Sequence, residues 1–159
     1  MKNLTMNAFD EFGNHWALVA AGSMERHNAM TISWGGVGCL WGKSVATVYV
    51  RPNRYTYGFL EENEYFTVSF YPEEYKNALG VMGSKSGRDC DKDQEAGLTS
   101  CPLGESVTYR EARLTLLCRK LFAQDMDAEN FTPEVIRKFY GNEPAHKLYI
   151  GEIVEVLRT

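Results

Sequence analysis

The chain has 159 residues, of which 44% are hydrophobic and 24% charged, with a formal net charge of -4 at pH 7. A single domain over residues 1–159, with one core and no low-complexity disorder, is the simplest organisation. The acidic balance excludes general nucleic-acid binding, which needs clustered cations to neutralise phosphates. Met1–Asn7 lacks the apolar core of a signal peptide, and no run approaches the ~20 apolar residues of a membrane span, so a cytoplasmic protein is expected.

Trp16–Ala21 is a short apolar run closed by Gly22 and reads as a strand buried on both faces. In the next strand, Asn28–Trp34, Ala29, Thr31 and Ser33 share one face, while Met30, Ile32 and Trp34 share the other. Gly35, Gly36, Gly38 and Gly42 follow, either relieving the curvature of a barrel strand or letting a ligand approach the backbone. Ser44–Val50 is a β-branched strand that Pro52 ends. Asn53 is then expected to cap a helix over Arg54–Asn63.

Tyr65–Tyr71 alternates strictly and reads as a strand. Pro72–Leu79 begins a helix with its acids at the N-terminal end, and the helix is expected to stop near Gly80 or Gly83. Asp91–Gln94 resembles a capping box, starting a brief helix that ends at Gly97. Residues 98–107 read as irregular, Ala112–Phe122 as a long strand with a helix as the alternative, Thr132–Tyr140 as a capped short helix, and Lys147–Val156 as the last strand.

Short strands separated by turns, with few helices, indicate a mainly β (α+β) fold: a closed or nearly closed β-barrel with peripheral helices. The absence of G-x-G-x-x-G after a strand removes the main argument for a doubly wound dinucleotide domain.

Three segments carry candidate chemistry. Arg51–Thr56 sets arginines, free helix-start amides and the Thr56 hydroxyl where a phosphate could be held, although the same pattern suits an ordinary strand-to-helix turn. Asn28, Thr31 and Ser33 offer hydrogen bonds to the edge of a flat heterocycle, with Trp34 closing one face; a plain barrel strand is the alternative. Ser84–Lys92 surrounds a Ser/Gly turn with three cations and could nest an anion, or could be a solvated loop whose aspartates cancel them.

His15, His27 and His146 are widely separated, so no hydrolytic constellation forms; His27, beside Asn28, is the one candidate for substrate contact. Cys39, Cys90, Cys101 and Cys118 lack metal-ligand spacing and read as reduced thiols, with Cys118 filling a buried strand. Gln94 and Ser100 stand where a calcium loop requires Gly and Glu, so a calcium site is excluded and no metal is expected.

Asn28-Ala-Met-Thr-Ile-Ser-Trp-Gly-Gly36 together with Tyr49-Val-Arg-Pro-Asn-Arg-Tyr-Thr56 resembles the flavin reductase-like, FMN-binding split-barrel family, in particular its flavoredoxin-type branch. The likeness continues in order through Phe66-Thr-Val-Ser, Ser86-Gly-Arg-Asp-Cys-Asp-Lys92 and Tyr149–Val156. It implies a homodimer of split barrels holding FMN non-covalently, with hydride received from NAD(P)H. Carried over residue by residue, Asn28, Met30, Thr31, Ser33 and Trp34 would border the flavin ring, with Gly42 and Lys43 near its pyrimidine edge. Arg51, Arg54, Tyr55 and Thr56 would serve the phosphate, and Ser84, Ser86, Gly87 and Lys92 would close over the cofactor.

No catalytic acid or base is assigned, because the flavin carries the chemistry. Gly38-Cys-Leu-Trp-Gly-Lys43 departs from the loop of the dedicated reductases, so flavin binding is implied more strongly than reduction of free flavin. The alternatives are a flavoredoxin-like electron-transfer protein reduced by a protein partner, and a non-catalytic ligand-binding or structural dimer.

Overall fold

Residues 3–159 are described by a computed structural model. Ahead of the first strand, a helical turn, α1 (Ala8–Asp10), continues as a wider turn over Glu11–His15 and buries Phe12. β1 (Ala17–Gly22) and β2 (His27–Ile32) then pair in one unbroken antiparallel register, from Ala17 against Ile32 to Gly22 against His27. Gly22 takes φ 115° and has no room for a Cβ beside the Arg26 carbonyl, which is why the turn starts at a glycine.

β3 (Gly35–Leu40) and β4 (Lys43–Val50) form the next hairpin. At its tip Trp41 and Gly42 have φ 51° and 70°, the paired positive values of a type I′ turn. The glycine run after β2 is therefore a strand. Gly35 gives way to the Phe12 ring, and Gly36 and Gly38 face open space.

Helix α2 (Tyr55–Glu62) starts one residue later than expected: Arg54, not Asn53, occupies the cap position. The Arg54 N–H is already used in a turn to the Arg51 carbonyl at 3.0 Å, and the Asn53 amide donates instead to Glu143 Oε2 at 3.3 Å. After β5 (Tyr65–Phe70) and one turn at Glu73–Tyr75, α3 (Lys76–Ser84) runs on through Gly80 and Gly83. A Cβ on Gly83 would stand 3.1 Å from Thr31 Cβ, so that glycine admits close helix-to-strand packing one residue before the helix ends, near the expected stop. Leu79 and Met82 are buried there.

α4 (Lys92–Ala96) has the expected ends, with Asp91 accepting from the Gln94 N–H at 3.1 Å and Gly97 closing at φ 68°. Residues expected to be irregular form a third hairpin, β6 (Ser100–Leu103) with β7 (Ser106–Tyr109). Every β7 residue is buried, because the hairpin lies on the outer face of the sheet, where Thr67 Oγ1 donates to the Val107 carbonyl at 2.7 Å.

β8 (Leu114–Asp125) and β9 (Lys147–Arg158) pair over most of their length with two register shifts. Between them the helical turn α5 (Pro133–Val135), capped by Thr132, continues as a wider turn over Ile136–Tyr140.

The main sheet runs β2-β1-β5-β8-β9-β4-β3, all antiparallel, with β6 and β7 as a separate pair. Its two edge strands, β2 and β3, are joined by only Ser33 and Trp34, which span about 11 Å at most. The sheet must therefore curl until its edges meet at that corner, as expected of a barrel.

Alternation along β1 divides the core. Ala17, Val19 and Ala21 join Val48, Phe66, Val68, Leu116, Cys118 and Tyr149 inside the barrel. Leu18 and Ala20 face outward under Leu79, Met82, Val107 and Tyr109. The second layer presses α3, α4 and the β6–β7 hairpin onto the outside of β1 and β2, next to the strand that carries the candidate site.

Candidate functional site

β2 contributes to four adjoining clefts. The first, about 220 Å³, is lined by Met30–Trp34 at the end of β2 and just beyond it, by Tyr49 of β4 and Arg51 just past its end, and by Arg54 and His146. The second, about 130 Å³, takes Asn28 and Met30 from β2, Arg54–Thr56 from the start of α2, and Ser84–Arg88 with Lys92. They meet at Met30 and Arg54. Thr31, Ser33, Trp16, Gly80 and Gly83 bound a third cleft of about 320 Å³ that has no charged side chain in its lining. His27, Cys90 and Asp93 lie along a fourth, of about 460 Å³, which borders the second at Asn28, Tyr55, Gly87 and Lys92.

The second cleft combines several features that suit an anion. The amides of Tyr55 and Thr56 open α2 and have no partner within the helix. Arg54 stands exposed beside them with no salt-bridge partner among the described residues. Lys92 is buried, and its ammonium donates to the Ala29 carbonyl at 2.7 Å. Burial lowers its pKa to about 8, against the opposing pull of Cys90 and Asp93. Arg88 lies 5.0 Å over the Tyr55 ring, and Lys85 is paired with Glu95 at 2.7 Å.

Two of the aspartates expected to cancel these cations have other partners. Asp91 caps α4, and Asp93 binds His27 and Tyr109. Gly87 is required sterically: a Cβ there would overlap Asn28 Oδ1 and come within 2.9 Å of Tyr55 Cδ1.

The first cleft is flatter and more aromatic. Trp34 lies 5.4 Å from Phe139 and 5.3 Å from His146, ring centre to ring centre. Arg51 is held by the segment before β9, donating to the Phe139 carbonyl at 3.0 Å and pairing with Glu143 at 3.2 Å. His146 accepts or donates at Nδ1 with the Tyr140 hydroxyl at 2.7 Å. Burial, aided by Arg51 and Arg54, pushes its pKa down to about 4, so the ring is neutral at pH 7.

The structure thus brings Met30, Thr31, Ser33, Trp34, Arg51, Arg54, Tyr55, Thr56, Ser84, Ser86, Gly87 and Lys92 to the walls of two contiguous clefts. Asn28 lines the second cleft and not the first, on the phosphate side of the expected arrangement. Gly42 and Lys43 line neither; they sit at the β3–β4 turn, where Lys43 binds Glu152 at 3.1 Å. Lys85 and Arg88, cations of the expected anion-nesting turn, also line the second cleft, whereas Tyr49 and His146 in the first were not expected. Tyr49 had only its alternation with Val48 and Val50 as a signal, and His146 had none, because β9 brings it to β4 from nearly 100 residues away.

Cys39 is exposed, Cys90 and Cys101 are half-buried, and Cys118 is buried. Among the described residues no group of His, Cys, Asp and Glu could hold a metal ion, and no helix is long and apolar enough to cross a membrane.

A family model described as the flavin reductase like domain matches residues 9–159. No curated protein sequence matches the chain. Among solved structures, an FMN-binding protein from Thermus thermophilus with bound p-hydroxybenzaldehyde is similar over 100% of this chain and 79% of its own, at 21% identity and a TM-score of 0.74. A flavoredoxin from Methanosarcina acetivorans is similar over 100% and 76%, at 18% identity and 0.73. The flavoredoxin of Desulfovibrio vulgaris (Miyazaki F) is similar over 91% and 69%, at 22% identity and 0.70. At these identities the likeness establishes a shared fold.

Proposed function

We infer that this chain, which belongs to the flavin reductase like domain family, binds FMN and passes electrons through it, with NAD(P)H as donor. The observation that carries this reading is Arg54, a guanidinium with no salt-bridge partner among the described residues, at the junction of the two clefts and beside the first turn of α2. The residues present fit the cofactor: a planar-walled cleft stands next to an anion-binding one. Arg54, the Tyr55 and Thr56 amides, Ser84, Ser86 and Lys92 would hold the phosphate. Met30, Thr31, Ser33 and Trp34 would border the ring. When bound, FMN supplies the hydride- and electron-accepting group.

The remaining work falls to the chain. Lys92 and Arg54 place positive charge where an anionic ligand must be neutralised. The neutral His146 can donate or accept a hydrogen bond in the first cleft without adding charge. The uncharged third cleft, walled by Trp16 and floored by Gly80 and Gly83, offers a flat donor or acceptor ring access to Thr31 and Ser33.

A homodimer belongs to the same reading. Trp41 is 62% exposed at the β3–β4 turn, with the exposed Phe122 ring 6.4 Å away, an apolar pair suited to a second copy. Gly42 and Lys43 line none of the four clefts along β2, so a contact with the flavin would be made across that interface.

A second reading, an electron carrier reduced by a protein partner, is favoured by the flavoredoxins among the structural neighbours. Anaerobic mixing of the FMN-loaded protein with NADH and with NADPH separates the two. Bleaching of the yellow absorbance within seconds supports the reductase, whereas no bleaching with either leaves the carrier. A purified protein that is colourless and takes up no FMN on titration would overturn both in favour of a ligand-binding or structural dimer.

A further inference from the structure

Asn28 and Thr56 are both almost fully buried, at 7% and 1% exposure, and both line the second cleft. The Asn28 amide nitrogen lies 2.7 Å from Thr56 Oγ1 and 3.5 Å from the Ala29 carbonyl. An amide NH₂ can only donate, so Thr56 Oγ1 is the acceptor and its own hydrogen remains available. A threonine in a first helical turn can donate back to a nearby carbonyl, and Thr56 makes no such bond among the described residues. Its hydrogen is free to point into the cleft that the Tyr55 and Thr56 amides also face.

The orientation of Asn28 is set from the other side. Its Oδ1 occupies the space where a Cβ on residue 87 would fall, so the backbone of Gly87 backs the amide and keeps its nitrogen toward Thr56.

We propose that Asn28 is a positioning residue for the phosphate: backed by Gly87, it holds Thr56 Oγ1 as an acceptor and so commits the Thr56 hydroxyl to donate to a phosphoryl oxygen. The proposal rests on the FMN reading and refines it, moving Asn28 from the ring of the cofactor to its phosphate. The geometry also explains why a buried polar pair joins β2 to α2 at this point rather than an apolar contact, since two hydrophobic side chains would fill the space but leave the phosphate one donor short.

The test compares dissociation constants for FMN and riboflavin, which differ by the phosphate, in the wild type, Asn28→Ala, Thr56→Val and the double variant. Asn28→Ala frees the Thr56 hydroxyl to turn back to the helix, so FMN is expected to weaken about tenfold while riboflavin changes less than about twofold. Thr56→Val should weaken FMN by at least as much, and adding Asn28→Ala to it should cost no further affinity. Gly87→Ala, which displaces the amide while leaving both polar residues in place, should reproduce the FMN-selective loss if Asn28→Ala does not fold.

Full additivity of the two substitutions, or equal weakening of FMN and riboflavin by Asn28→Ala, overturns the proposal. A wild type that binds riboflavin as tightly as FMN overturns the phosphate reading itself. A wild type that prefers FMN, loses that preference in Thr56→Val and keeps it in Asn28→Ala overturns the positioning role alone.

Discussion

His27 on β2 donates from Nε2 to Asp93 Oδ2 on α4 at 2.8 Å, joining residues 66 apart in the chain. Its Nδ1 lies 2.9 Å from the Ser23 carbonyl. Both partners can only accept, so the site favours the ring that carries hydrogen on both nitrogens, the cation. Asp93 takes a further bond from the Tyr109 hydroxyl at 2.8 Å. This knot fastens α4, and with it Lys92, to the outer face of β2. The one histidine expected to touch a ligand has both nitrogens engaged within the protein.

The bond to Asp93 raises the His27 pKa above 6.5 despite burial. Burial pushes Asp93 upward, but the bonds from His27 and Tyr109 outweigh it and hold the group below 3.8. The His27 contribution to stability is complete below its unfolded value of 6.5 and is lost as pH rises through the raised one. That of Asp93 is complete above 3.8 and is lost as pH falls through the lowered one. His27→Asn should therefore cost about 1.5–3 kcal/mol between those limits, with the deficit shrinking on either side. Denaturant unfolding of both proteins across pH checks this, and a deficit independent of pH would refute it.

His146 behaves in the opposite sense. Burial, then Arg51 and Arg54, hold its folded pKa near about 4, so between 6.5 and that value the unfolded chain binds the extra proton. Stability should fall as pH drops through this window, by up to about 3 kcal/mol from this ring. An imidazole NMR titration should find His146 neutral at pH 5.5 while His27 is charged. The reverse assignment would refute both accounts.

Lys92 links ligand binding to proton uptake. With its pKa lowered to about 8 by burial, part of the population is neutral just above that pH. A phosphate arriving beside it favours the ammonium and raises the pKa again. Calorimetric titration with FMN at pH 8.5, in buffers of different ionisation enthalpy, should show a fraction of a proton taken up in the wild type and none in Lys92→Met. Identical uptake in the variant would place the titrating group elsewhere.

Gly151 on β9 tests the barrel interior. A Cβ there would stand 2.7 Å from the Phe66 ring and 2.8 Å from Cys118 Cβ, so Gly151→Ala should destabilise by about 1–3 kcal/mol through overpacking. Gly58 in α2 has nothing within 4 Å of the same position, and Gly58→Ala should stabilise by up to about 1 kcal/mol. Thermal midpoints moving in the same direction for both variants would contradict this packing.

The strands β1, β2, β4, β5 and β9 were legible because alternation and β-branched runs report burial directly, and the ends of α4 because Asp91 and Gly97 are local devices. β3 was hidden by its glycines, which resemble a ligand loop until Phe12 is seen against Gly35. The β6–β7 hairpin was hidden because its polar residues are buried by the outer face of the sheet, not by a pattern of their own. Of the two glycines that look like helix stops, α3 runs past Gly80 and ends at Ser84, next to Gly83.

For the candidate site, the two contiguous stretches 28–34 and 51–56 were visible as residue types suited to a ring and a phosphate. Each local pattern was determined by short-range chemistry: pleat alternation, a helix start, a run of cations. What only the tertiary structure decided is which of these meet. The curl of the sheet brings His146 and Tyr49 to the first cleft and sets Asn28 against Thr56, while leaving Gly42 and Lys43 at a distant turn. Those distances depend on closure of a seven-stranded barrel over contacts far apart in the chain, and no local sequence pattern encodes them.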